Sequence, residues 1–177
     1  MTRYHPILVA LHWLLALLIV LALVAGNVLL EPVPNSDPSK LDGLKNHMGL
    51  GITIGVLMLV RLGVRLFTKK PPHADTGNAM LNIAGQVAHW GLYILVFLMV
   101  ASGMGISISA GLPAIVGGSG DPLPADFSAY PPRAAHGAIS ILLMLLILAH
   151  IAGWAYHALF VKDRLLSRMW FGKRTGG

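Results

Sequence analysis

Cysteine is absent from the 177-residue sequence. Its absence excludes disulfide bonds, thiolate zinc sites, iron–sulfur clusters and haem attached covalently through cysteine. Charged residues are also scarce, since they make up 11% of the chain where soluble domains carry about 25%. Hydrophobic residues make up 55%. These values disfavour a water-soluble globule and indicate one membrane domain that occupies residues 1–177.

Four long stretches contain no charged residue. They lie between Arg3 and Glu31, Lys45 and Arg61, Asp75 and Asp121, and Arg133 and Lys162. A spanning helix needs about 20 mostly apolar residues. We therefore predict an all-α integral membrane protein, a four-helix bundle with helices at about 6–30, 46–67, 83–109 and 132–160. The second helix is short unless Arg61 and Arg65 snorkel from its end to the membrane surface.

The basic residues are distributed unequally between the two sides of the bundle. The N-terminus, the second connection and the C-terminal tail hold ten of them: Arg3, Arg61, Arg65, Lys69, Lys70, Lys162, Arg164, Arg168, Lys173 and Arg174. The first and third connections hold only Lys40, Lys45 and Arg133. This asymmetry predicts that both termini are cytoplasmic. Because the net charge of +6 stands in blocks beside apolar runs, we expect no nucleic-acid partner.

Histidines lie near the ends of the predicted helices. His47 and His136 are near the outer ends of helices two and four, whereas His12 and His150 are near the cytoplasmic ends of helices one and four. The 14 residues from His136 to His150 return the helix to within about 40° of the same face and rise about 21 Å. We therefore predict two imidazole pairs, His47 with His136 and His12 with His150, one in each leaflet.

Two further histidines are less well placed to be iron ligands. His89 could replace His12 or His150 as an inner ligand, and it is also a candidate quinone contact. His157 lies seven residues beyond His150, within about 20° of its face, but too near the surface for a ligand; we interpret it as a proton or quinone contact. We expect His5 and His73 to be solvated.

Haem explains paired imidazoles better than a bare ion does. Zinc sites gather three or four ligands, and the thiols and carboxylates that would complete them are missing here. Haem brings four equatorial nitrogens, so that one or two protein ligands for each iron suffice. Glycines near the histidines would either make room for the macrocycle or simply let helices pack closely; they are Gly49, Gly51, Gly55, Gly137 and Gly153.

Short motifs surround these histidines in all four helices. They are His12-Trp13, His47 with Arg61-Leu62-x-x-Arg65, His89-Trp90-Gly91-Leu92-Tyr93 with Ser102-Gly103, and His136 with His150-Ile151-x-Gly153-Trp154-x-x-His157 and Lys162-Asp163. With these motifs the chain resembles the bacterial cytochrome b561 family, four-helix di-haem proteins of the inner membrane. The resemblance implies two haem b groups, with His12 and His150 as iron ligands of the inner haem and His47 and His136 as those of the outer haem.

The resemblance also implies an activity. Family members of this kind take an electron from superoxide at the outer face and pass it to ubiquinone, so we expect a superoxide:ubiquinone oxidoreductase. Lys45 and Arg133, with Lys40 nearby, would steer the anion towards the outer haem; they could equally neutralise haem propionates or lipid phosphates. His157 and His89 could line a quinone headgroup site.

Three tryptophans, Trp13, Trp90 and Trp154, could complete that quinone site, although interfacial anchoring also explains them. Arg61 and Arg65 could contact a propionate of the inner haem, or they could serve only to determine the membrane topology. Two other functions stay open: a cytochrome b anchor subunit of a hydrogenase or formate dehydrogenase, and a haem-free transporter that uses histidines. A homo-oligomer is also left open.

Overall fold

The computed structural model describes residues 3–173, so Arg174 of the basic tail lies outside the described residues. Six α-helices occupy this part of the chain. They are α1 (Pro6–Val24), α2 (Ser39–Phe67), α3 (Ala79–Ser109), α4 (Leu112–Val116), α5 (Pro131–Tyr156) and α6 (Leu165–Arg168). Two π-helical turns, Ala25–Leu30 and His157–Val161, prolong α1 and α5. The all-α prediction is confirmed.

Four helical segments are long and apolar enough to cross a membrane: Pro6–Leu30, Ser39–Phe67, Ala79–Ser109 and Pro131–Val161. The first and last agree with the sequence prediction to within one residue. The second and third begin earlier than the predicted residues 46 and 83. The four-helix architecture is therefore confirmed, with two longer helices.

Polar side chains at their N-termini explain why α2 and α3 begin earlier than predicted. The Asp37 side chain accepts hydrogen bonds from Ser39 N and Ser39 Oγ, at 2.8 and 2.7 Å, where α2 begins, about two turns before the second uncharged stretch. The Asn78 side chain accepts from Met80 N at 2.9 Å and Leu81 N at 3.3 Å, which begins α3. Side-chain oxygens at such positions satisfy amide groups that have no partner within the helix. A search for apolar runs misses these polar turns.

The first and last described segments of the chain lie at one end of the bundle. Tyr4 N donates to the Arg168 carbonyl at 3.0 Å, and Trp13 Nε1 donates to the Met169 carbonyl at 2.9 Å. Arg168 in turn donates to the carbonyl of Pro72, in the second connection. We call this the terminal end. The opposite end, formed by residues 31–38 and 110–130, is the loop end.

An apolar core fills the middle of the bundle, where α3 packs on α5 and α1 packs on α2. Its buried members are Leu11, Leu15, Ile54, Met58, Tyr93, Val96 and Leu143. The outward faces expose large hydrophobic side chains, of which Phe67 is 91% exposed. Such faces suit lipid, and the core separates the loop end from the terminal end.

A buried lysine closes the loop end of the first span. The Lys40 side chain is 6% exposed, and its Nζ donates to the carbonyls of Leu30 and Val33. The last carbonyls of a helix have no partner within the helix, and they carry the negative end of its dipole. Lys40 thereby ties the start of α2 to the end of the first span.

Replacing Lys40 with Met is expected to lower the free energy of unfolding by about 1–3 kcal/mol, because two carbonyls lose their donor. Thermal melting of the detergent-solubilised protein measures this loss. Lys45→Met is the matched control, since Lys45 is exposed on the same helix; it should stay within about 0.5 kcal/mol of the parent. Equal losses in both variants would contradict the capping role.

Candidate cofactor site

At the loop end, an imidazole of α2 faces an imidazole of α5. The ring centroids of His47 and His136 are 6.3 Å apart, and the ring planes are inclined at 78°. Both side chains line a cavity of about 430 Å³ whose walls come from α1, α2, α3 and α5. Ligand pockets commonly measure about 300–1,000 Å³. The structure therefore brings together the two histidines that the sequence paired here.

Two glycines make the space that these rings occupy. A Cβ atom on Gly26 would lie 3.3 Å from His47 Cε1, and one on Gly103 would lie 3.3 Å from His136 Cε1. Both contacts are tighter than side chains normally tolerate. The sequence reasoning did not consider Gly26, and it named Gly103 only as part of a motif, because each lies on a different helix from the ring that it accommodates.

The glycines that the sequence singled out behave differently. Gly51 and Gly137 line the cavity. Gly55 instead faces the side chain of Val100, so it serves close helix packing. An added Cβ at Gly49 or Gly153 would meet nothing within 4 Å. Room for a macrocycle is therefore a possible role for Gly51 and Gly137, whereas close helix packing is the role of Gly55.

The two loop-end rings differ in the partners of their Nδ1 atoms. His136 Nδ1 lies 2.9 Å from Ser102 Oγ. His47 Nδ1 is buried and has no hydrogen-bond partner among the described residues. An unpaired buried nitrogen is unusual in a folded protein and needs an explanation. The two rings of this pair therefore have unequal surroundings, because in the described part of the chain only His136 has a hydrogen-bond partner on Nδ1.

At the terminal end, three imidazoles come together from α1, α3 and α5. The centroids of His12 and His150 are 6.4 Å apart, with planes at 73°. His89 lies closer to His150, at 5.1 Å and 86°. His89 Nδ1 is 2.6 Å from the Gly85 carbonyl. Because a carbonyl only accepts, Nδ1 carries the proton and Nε2 is the unprotonated nitrogen of neutral His89.

The distances between the ring centroids show which pairs of histidines could hold one iron between them. A metal–imidazole bond is about 2.0 Å, and a nitrogen lies about 1.1–1.2 Å from the centre of a ring with bonds near 1.33 Å. Two rings on opposite sides of one iron are therefore expected about 6.2–6.4 Å apart. The His47–His136 and His12–His150 distances meet this requirement, whereas the His89–His150 distance is too short.

A bare metal ion fits less well. Within residues 3–173, no group of three or more histidine, aspartate or glutamate side chains is placed to hold an ion. A macrocycle that already supplies four nitrogens needs only the two imidazoles that each pair offers. The residues present therefore fit haem at the loop end, where a cavity accompanies the pair, and the ring spacing at the terminal end is compatible with the same group.

Two arginines of α2 stand beside the terminal-end histidines. Arg61 Nε donates to Tyr93 Oη at 2.9 Å, and Arg61 Nη1 donates to the Leu8 carbonyl at 3.1 Å. The Arg65 guanidinium lies 5.3 Å from the centre of the Trp90 ring. Arg61 thus reaches across the bundle to α1 and α3. Cation–π contact explains part of the burial of Arg65.

The predicted anion-steering residues separate at the loop end. Arg133 and Lys40 line the cavity, and Arg133 forms an ion pair with Glu31. Lys45 is exposed on α2. It stands two residues before His47, about 200° around the helix, and so faces away from the ring. Lys40 occupies the position at the cavity that the sequence reasoning gave to Lys45.

His157 pairs with an acidic residue at the terminal end. Its Nδ1 donates to Asp163 Oδ2 at 2.9 Å, and the side chains are 12% and 24% exposed. The chain turns back at Lys162, whose φ of 57° is left-handed, and this reversal brings Asp163 to His157. The sequence motif contained both residues but gave no sign that they pair.

The remaining candidates lie nearby or at the surface. Trp13 contacts the His12 ring at 5.2 Å, while Trp90 contacts Arg65 and Tyr93. Trp154 is 40% exposed. His73 is exposed, as expected, whereas His5 accepts a hydrogen bond from Ile7 N and caps α1.

The chain is similar to known proteins over most of its length. The family model described as prokaryotic cytochrome b561 matches residues 3–172. Cytochrome b562 of Cereibacter sphaeroides is 29% identical over 170 residues, which are 94% of each chain. Cytochrome b561 homolog 2 of Escherichia coli K12 is 28% identical over 116 residues, which are 66% of this chain and 61% of that protein.

Replacing Gly103 with Val is expected to lower the haem content, because the added methyl groups displace the His136 ring. The ratio of haem absorbance to protein measures the loss. Gly49→Val is the matched control, since an added Cβ there has open space. An unchanged ratio in the Gly103 variant would contradict the assigned role of this glycine.

Proposed function

The chain belongs to the prokaryotic cytochrome b561 family of membrane electron-transfer cytochromes, which bind haem b, and from that membership we propose that it oxidises superoxide and reduces ubiquinone. Two superoxide ions each give up one electron and leave as oxygen. One ubiquinone takes both electrons and two protons and becomes ubiquinol. The proposed location is the bacterial inner membrane, with the terminal end in the cytoplasm, as the basic residues predict.

Two haems are proposed, one at each end of the bundle. His47 and His136 would hold the loop-end haem, and His12 and His150 the terminal-end haem. The single observation that carries this assignment is the near-identical ring spacing of the two pairs, 6.3 and 6.4 Å. The 5.1 Å contact of His89 with His150 favours a supporting or quinone-contacting role for His89 over ligation.

Bound haem would supply a one-electron iron centre, and the potential of that centre would depend on the imidazoles that hold it and on their surroundings. The protein fixes where these centres stand. The α5 ligands are 14 residues apart, which sets them about 21 Å apart along the helix. The apolar core between them keeps water and protons out of the middle of the bundle.

Arg133 and Lys40 are the proposed guides for superoxide. Both line the loop-end cavity, and cations at the mouth of a low-dielectric cleft raise the local concentration of a small anion. Glu31 offsets part of this charge through its ion pair with Arg133. Lys45 would add only to the general positive field of this surface.

His157 is the proposed proton donor for the quinone. It stands at the terminal end, where the spans meet the cytoplasm in the proposed orientation. Asp163 holds the Nδ1 proton, which leaves Nε2 to exchange protons with a quinone oxygen. A positioned histidine of this kind contributes about 10²–10⁴-fold to a proton-transfer step.

Membership of a cytochrome family disfavours the haem-free transporter. The anchor subunit of a larger dehydrogenase has the same helices and a different electron source. Reduction of the purified chain by superoxide would separate the two, because an anchor subunit receives its electrons from a partner protein.

Rapid mixing of superoxide with the oxidised, purified protein is expected to reduce the haem, and added ubiquinone should accelerate loss of superoxide catalytically. Stopped-flow absorbance at the haem bands measures both. Boiled protein and protein without quinone serve as controls. Absence of haem reduction, with superoxide decaying at its spontaneous rate, would overturn the proposed activity.

Replacing His157 with Ala is expected to slow quinone reduction by about 10²-fold or more, with both haem spectra unchanged. Asp163→Asn should cause a smaller loss, since the ring keeps a hydrogen-bond acceptor. His73→Ala, at an exposed histidine of the second connection, controls for loss of an imidazole at this end. Loss of haem from the His157 variant would instead reassign it as a ligand.

A further inference from the structure

Ser102 stands behind the His136 ring, on the neighbouring helix α3. Its Oγ is 2.9 Å from His136 Nδ1 and 3.0 Å from the Met99 carbonyl oxygen. Gly103, the next residue, leaves the space against which His136 Cε1 lies. Two consecutive residues of α3 therefore fix the orientation of an imidazole that belongs to α5.

Counting hydrogens decides the direction of each bond. A serine hydroxyl has one hydrogen to donate, and a carbonyl oxygen can only accept. The hydroxyl hydrogen is therefore directed to Met99, and Ser102 Oγ accepts from His136 Nδ1–H. The proton of the neutral imidazole is then on Nδ1, and the lone pair of Nε2 is directed away from α3.

The His47 ring, which faces His136, has different surroundings. His47 Nδ1 has no hydrogen-bond partner among the described residues. The two imidazoles of the loop-end pair are therefore unequal, because only His136 has an acceptor behind it. An acceptor on the outer nitrogen makes the ring a more basic ligand and fixes its tautomer.

We propose that Ser102 is a positioning residue that selects the Nδ1-protonated tautomer of His136 and thereby sets the reduction potential of the loop-end haem. This inference rests on the proposed assignment of His136 as a haem ligand. A more basic ligand stabilises ferric iron, so the Ser102 hydroxyl lowers the potential of this haem. The lower potential favours onward transfer of the electron towards the terminal end.

The test is a redox titration of the loop-end haem alone. Replacing His12 with Ala removes the terminal-end haem, so one haem transition remains in this background. Adding Ser102→Ala is expected to shift its midpoint potential upward and to weaken haem retention by about 10-fold to 100-fold. Ser102→Thr, which keeps a hydroxyl, should restore both properties.

Ser140→Ala is the matched control. Ser140 is a buried serine that lines the same cavity, and its hydroxyl donates to the Gly137 carbonyl. Its removal changes the polarity of the cavity without removing the Ser102 acceptor. It should therefore shift the potential less than Ser102→Ala does. Equal shifts in the two variants would overturn the proposal in favour of a general polarity effect.

The test distinguishes a wrong ligand assignment from a wrong role for Ser102. A His12→Ala protein without any haem would contradict the proposed ligand pairs, and hence the premise. A fully loaded protein whose potential and haem retention do not respond to Ser102→Ala would overturn the role of Ser102 and leave the pairs intact.

Discussion

The separation of two facing imidazoles constrains the whole bundle. A ring spacing of 6.3 or 6.4 Å has to be kept between helices that share no local hydrogen bonds, at both ends of the molecule. Because α5 supplies a ring to each pair, a rotation or slide of α5 would alter both spacings together. The tight middle packing of α5 on α3, and of α1 on α2, is what prevents such movement. The apolar core therefore acts on the cofactor sites, and three of its members, Ile54, Val96 and Leu143, also line the loop-end cavity.

Much of this arrangement could be predicted from the sequence, because each inference needed only one helix at a time. Uncharged stretches gave the spans, and the interval from His136 to His150 gave two rings on one face. Features that depend on a second helix could not be found this way. Gly26 and Gly103, for example, face rings on other helices. Spacing along the chain carries no signal for such contacts.

Two cations of α2, the buried Lys40 and the half-buried Arg61, are held in a similar way. Lys40 and Arg61 lie within spans where an unpaired charge would be costly. Each donates to backbone carbonyls of another segment, Lys40 to Leu30 and Val33, and Arg61 to Leu8. Proximity in sequence suggested a role in anion attraction or topology for these residues. The structure adds a mechanical role, since each cation links two spans near a histidine pair.

The third span has a different role from the others. The predicted iron ligands come from α1, α2 and α5, yet α3 supplies the groups that orient what surrounds them. Its Ser102 accepts from His136, its Gly103 leaves room for that ring, and its Tyr93 accepts from Arg61. Even His89 is fixed by α3 itself, through the Gly85 carbonyl. A helix that supplies none of the four proposed iron ligands thus influences how those ligands are oriented, because ring orientation depends on the groups behind each imidazole.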